Sequence, residues 1–156
     1  MGKDVSPQLS SREIHISEPL QIFADLFVQR WDTYGRQIEN QRQYYRVCDA
    51  EGKPEPLTWD TLVRHLRGEM TIGLYSIDKQ GLTRWTAIDG DHGVGPLLNV
   101  QKQLKERGIH GYLELSRVGG HLGVWWDRPI RPDLARNILH IHDSSLALYP
   151  AGDIPD

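Results

Sequence analysis

The apolar and polar positions of the chain fall into short periodic segments. Leu20, Phe23, Phe27, Trp31 and Tyr34 recur at helical spacing. Ser17 offers a capping hydroxyl and Pro19 suits a first turn, so the spacing predicts a helix running to about Arg36 or Ile38. Its apolar stripe suits a sheet, and Arg30, Asp32 and Arg36 lie off it as solvated helix charges, with phosphate contacts as the alternative. Residues 44–48 read as a short strand, followed by a turn over 49–54. Thr58 caps a second helix, with Leu57 and Leu62 spaced for a hydrophobic staple and Gly68 as the stop. His65 reads as a surface histidine of that helix.

Residues 71–77 and 82–89 alternate as strands around a turn at Asp78–Gly81, which predicts an antiparallel hairpin. An amphipathic helix over 97–105 closes at Gly108. A second hairpin follows, 111–116 with 121–126, joined by a glycine turn. Pro129 and Pro132 bracket a break, and 133–142 is helical. The order helix, helix, hairpin, helix, hairpin, helix predicts an α+β fold, with an antiparallel-rich sheet covered by helices. Residues 1–17 form a flexible N-terminal segment in this reading, and one domain spans 18–156.

The chemistry concentrates where the first hairpin ends. Asp89 and Asp91 are two apart on a strand, so both point to one side, with Gly90 leaving the backbone open between them. Paired acids repel unless a positive group sits between them, and a divalent cation with oxygen ligands is a natural candidate. An acidic loop tip is the plain alternative. The turn from Ser116 through Arg117, Gly119 and Gly120 to His121 offers a hydroxyl, a guanidinium, backbone N–H groups and an imidazole. Such a set suits an anion. A solvated arginine on an ordinary Gly-Gly turn is the alternative there. His92 adjoins the acids and reads as a rim histidine. His140 and His142, placed on a helix, point to different faces and make no metal pair.

At 156 residues, with a net charge of −3, the chain has no global basic field for duplex DNA. The lone Cys48 excludes an intramolecular disulfide and a Cys-rich zinc site. No signal peptide is visible, and no apolar run is long enough to cross a bilayer. A cytoplasmic location is the expectation.

The ordered set of motifs resembles the archaeo-eukaryotic primase superfamily, most closely the primase domains of prokaryotic mobile-element and conflict systems. Ala87-Ile88-Asp89-Gly90-Asp91 matches its Asp-x-Asp signature, and Gly119-Gly120-His121 with Val124-Trp125-Trp126 matches its second motif. The likeness runs from Leu20 to Pro150. It implies an RRM-like primase-polymerase core in which Asp89 and Asp91 bind Mg or Mn. It also implies that His121 contacts the phosphates of an incoming nucleotide, helped by Ser116, Arg117, Gly119 and Gly120. The implied reaction is template-directed nucleotidyl transfer. The implied partners are nucleoside triphosphates, a single-stranded or primed template, and a helicase or further domains on a longer chain.

Three departures stand out. Leu146 and Ala147 occupy the place of a third acid before Tyr149-Pro150; Asp153 matches only an acid that follows the pair, and Asp143 would substitute only with a rearranged backbone. The closing strand expected after that pair is missing, so the domain reads as incomplete at its C-terminus. The zinc-binding cysteines of many relatives are reduced to Cys48. The departures open one alternative, a degenerate relative that binds nucleotide or single-stranded nucleic acid without catalysis. A second alternative is a metal-dependent phosphodiesterase using Asp89, Asp91, His92 and His121.

Overall fold

The computed structural model describes residues 17–38, 41, 43–116 and 118–152. In order, the elements are α1 (Glu18–Phe27), β1 (Gly35–Gln37), β2 (Tyr44–Arg46), α2 (Trp59–Leu66), β3 (Ile72–Gly73) and β4 (Thr83–Gly90). Then follow α3 (Gly95–Glu106), β5 (Tyr112–Leu115), β6 (Gly120–Ile130), α4 (Pro132–Leu139) and β7 (Ala147–Tyr149). The arrangement is α+β, with two antiparallel sheets, ordered β2-β1-β3 and β5-β6-β4-β7. The expected flexible segment before residue 17 lies almost wholly outside the described residues.

Each sheet has its own core. Leu20, Ala24 and Val28 at α1 pack with Tyr34, Leu57, Leu62 and Ile72 beside the small sheet. Ile88, Leu122 and Val124 pack with Leu97, Val100 and Leu104 of α3 and Leu139 of α4 beneath the large one. Arg107 ties α3 to α4 by donating to the carbonyls of Ile138 and Leu139, which close the C-terminus of α4. Two indoles join α1 to the large sheet: Trp85 Nε1 donates to the Phe27 carbonyl and Trp125 Nε1 to the Leu26 carbonyl, both at 3.1 Å. The Gln29 amide adds a bond to the Ser76 carbonyl and accepts from the Arg84 N–H.

Several local expectations hold. Thr58 Oγ1 accepts from the Thr61 N–H at 3.2 Å, Leu57 and Leu62 are both buried, and Gly68 takes a positive φ after α2. Helix α3 and the β5–β6 hairpin also lie where the pattern puts them, except that β6 runs on through Pro129 to Ile130, past the expected break.

Three expectations are corrected. Helix α1 ends at Phe27, with Val28 extended, and Ser17 makes no side-chain cap. Trp31 and Tyr34 therefore belong to a loop and Arg36 to strand β1. The first hairpin does not form a ladder. Asp78 and Leu82 close a turn, but β3 pairs with β1 while β4 pairs with β6 and β7. Arg30 and Asp32 are an ion pair, with Nη2–Oδ2 at 3.0 Å, and Lys79 reaches the same oxygen at 3.3 Å. Arg30 also lies over the Tyr75 ring.

The β5–β6 turn closes against the end of β4. Ser116 Oγ accepts from the Gly119 N–H, and the Ser116 N–H donates to the Gly119 carbonyl. A Cβ on Gly119 would collide with the carbonyl oxygen of Gly90. The absence of a side chain is what lets the two turns meet.

Two consequences are testable. The Arg30 guanidinium holds the Asp32 carboxyl at about 2, against 3.8 for an unperturbed one. A depressed folded pKa stabilises above the unfolded value and loses that contribution as pH falls through the folded one. Asp32 is a third exposed, so screening limits the effect. Urea unfolding should show Asp32→Asn less stable by about 1 kcal/mol at neutral pH. That deficit should close as pH falls from 3.8 towards 2. Gly119→Ala should lower the unfolding free energy by about 2 kcal/mol or more, because the clash is with backbone.

Candidate active site

The large sheet has an inner and an outer face, set by strand alternation. Along β4, Thr86 and Ile88 are buried in the core, while Trp85, Ala87 and Asp89 face the other way. Burying the Thr86 hydroxyl is tolerated because it accepts from Trp126 Nε1 at 2.9 Å. On β6, Leu122 and Val124 are likewise buried, and His121, Gly123 and Trp125 share the outer face with Asp89.

Register fixes the neighbours of Asp89. His121 is its partner on β6, and Ala147 is its partner on β7. One strand further out, Glu114 on β5 is the partner of His121. Four side chains thus lie in a row across the sheet. His121 Nε2 is 3.5 Å from Asp89 Oδ1, and His121 Nδ1 is 3.6 Å from Glu114 Oε2. The imidazole is 44 % exposed and the Asp89 carboxylate 26 %, so both are reachable from solvent. An imidazole N–H on this open face is a donor that a phosphate oxygen accepts as a carboxylate oxygen does.

Asp91 differs from expectation in its setting. Strand β4 ends at Gly90, and Asp91 and His92 are exposed in the turn that follows. Strand parity therefore does not set the direction of the second carboxylate. The turn before His121 also differs. Gly119 and Gly120 are buried, and the Gly119 N–H is taken by Ser116 Oγ. Gly119 packs against the Gly90 carbonyl and Gly120 against the Glu114 carbonyl, so these glycines serve close packing and the expected open N–H is not available at Gly119. Arg117 lies outside the described residues.

The other edge of β4 is paired with β7. Ala147 is exposed on the outer face directly beside Asp89, while Leu148 packs against the core. A methyl group therefore lies beside the Asp89 carboxylate on this edge. Asp143 is engaged by Ser145. Its Oδ1 accepts from the Ser145 N–H and hydroxyl, which lower its pKa, and it belongs to the turn before β7. Asp153 lies outside the described residues. His140 and His142 are not on a helix, because α4 ends at Leu139 and His140 takes a positive φ. Their imidazoles touch, Nε2 to Nε2, at 2.8 Å.

Hard oxygen donors at the end of β4 are of the kind that divalent cations take. Among the described residues, no cluster of three or more His, Cys, Asp or Glu is arranged to hold a metal ion. Nor, among them, is any helix long and apolar enough to cross a membrane.

Glu114 is the site residue that sequence reasoning passed over. The signal was present: it lies two residues before Ser116, on the strand whose turn carries His121, at the parity that shares its face. The aromatic rings on that face, Trp85, Tyr112 and Trp125, line a groove together with Glu114 and His121.

No curated protein matches the sequence. A family model does, the archaeo-eukaryotic primase domain of TOTE conflict systems, over residues 18–145. The match takes in both turns that meet at the site and stops just before β7. The chain belongs to that family of primase-like domains.

Proposed function

We propose that the chain is the catalytic domain, from residue 18 onward, of a template-directed nucleotidyltransferase that works with Mg or Mn. The reading is carried by the pairing of β4 with β6, which sets Asp89 beside His121 on an open sheet face. Asp89 and Asp91 would hold the cations. When bound, these cations neutralise charge on the triphosphate and activate the attacking hydroxyl. His121 would donate to the phosphates, with Ser116 and Arg117 alongside and Glu114 orienting the ring. A 3′-hydroxyl oxygen forms a bond to the α-phosphorus, the α–β bridging bond breaks, and pyrophosphate leaves with its electron pair. The hydroxyl proton passes to solvent. Nucleoside triphosphates and a single-stranded or primed template are the partners in this reading.

One observation favours a second reading. Ala147 puts a methyl group beside Asp89, where a further oxygen ligand would sit. A two-acid site neutralises developing charge less completely than a three-acid one. The chain would then bind metal and nucleotide without joining nucleotides.

Incubation with a primed template, nucleotides and Mn separates the two. Extended product that disappears in Asp89→Ala supports the first reading. Metal-dependent nucleotide binding without product supports the second, and neither binding nor product overturns both. Ala147→Asp places a second carboxylate next to Asp89. Without metal the like charges should lower the melting temperature slightly. With Mn the variant should bind more tightly than wild type, on the order of tenfold, because the ligand set gains a charge. A titration followed by thermal melting measures both effects.

A further inference from the structure

The outer face of the large sheet carries more than the acid–imidazole row. Beside it runs an apolar groove of about 410 Å³, walled by Phe27, Trp85, Tyr112 and Trp125, with Glu114 and His121 at its polar end. Tyr112 stands edge-on to Trp125, with ring centroids 5.8 Å apart and planes at 74°. The two rings form a corner that takes one flat group, stacked on one ring and abutting the other. Gly123 leaves room for this: the Trp125 indole lies over it, in the space a side chain would fill. The indole is held there by its bond to the Leu26 carbonyl and by an edge contact with Phe27. Tyr112 is 66 % exposed.

A second cavity opens next to the first. Gln101, Lys102, Lys105 and His110 line it, together with Gly111, and no carboxylate does. Gly111 borders this basic cavity and the following residue, Tyr112, borders the aromatic groove. The two are therefore neighbours across the β5 edge of the sheet. Stacking rings next to a cationic groove are what a single nucleic-acid strand requires, since bases stack and phosphates need positive charge. A duplex hides its base faces, and a chain of net charge −3 lacks the broad basic field a duplex calls for. A lone exposed tyrosine on an edge strand would need no explanation. The corner with Trp125 and the adjoining lysines are what single this one out.

We propose that single-stranded nucleic acid crosses the β5 edge, with an unstacked base in the Tyr112–Trp125 corner and flanking phosphates on Lys102, Lys105 and His110. The proposal deepens the nucleotidyl-transfer reading, since it leads the strand toward Asp89 and His121. It can nonetheless succeed or fail separately.

Fluorescence anisotropy of a labelled oligothymidylate, across a salt series, tests it. Tyr112→Ala should weaken binding about tenfold, and Tyr112→Phe, which keeps the ring, should bind like wild type. Charge reversal of Lys102 and Lys105 to Glu should weaken binding and flatten the salt slope by roughly one to one and a half. Circular dichroism and thermal melting verify that each variant folds. Wild-type-like affinity in both Tyr112→Ala and the charge reversal overturns the proposal. So does a wild type that ignores the oligonucleotide, or one that binds duplex equally well. Mn-dependent nucleotide binding is measured alongside. If that is absent while strand binding shows the expected losses, the catalytic reading falls and the strand path stands.

Discussion

Strand β4 is paired on both edges, and the site exists because of it. Its outer-face carboxylate gains an imidazole on one side and a methyl group on the other from residues 32 and 58 positions further along the chain. Those pairings hold only if the inner-face residues of β4 and β6 stay in the core. A one-residue slip would turn Ile88 and Leu122 outward and Asp89 inward. The apolar packing beneath the sheet thus fixes the polar chemistry above it. The glycine contact at the end of β4 fixes where the two turns come to rest.

How much of this was legible depended on the distance over which it was encoded. Helix α3, the Thr58 cap and the β5–β6 hairpin are specified by residues within a turn or two of one another, and they lie where the pattern puts them. The partners of β3 and β4 are not specified that way. A turn at Asp78 forms as written, with Gly81 and Leu82 closing on that residue. Nothing in a local pattern says that the strands on either side join different sheets. The overlong first helix has a related cause. Trp31 and Tyr34 keep helical spacing by coincidence, and other contacts set their places: Trp31 lies exposed with its ring tilted against Trp59, and Tyr34 sits in the first core.

The site was legible in its pairing and less so in its details. The resemblance implies one site for Asp89 and His121, and their side chains adjoin. The backbone around them was misjudged, because glycine signals two different things. At Gly119 it permits contact with another backbone, not approach by an anion. Asp91 was assigned a direction from strand parity, yet the strand stops one residue earlier. Glu114 escaped notice because an exposed glutamate on an edge strand looks like solubility until its cross-strand neighbour is known.

The bonds from Trp85 and Trp125 to the Phe27 and Leu26 carbonyls have one more consequence. Carbonyls in the last turn of a helix have no partner within it, and here indoles from two neighbouring strands supply the hydrogens. Separating α1 from the sheet would strip both indoles and both carbonyls of their bonds together. The join between the two cores is therefore all-or-none, and emission from these two tryptophans is a built-in gauge of whether the halves of the molecule remain docked.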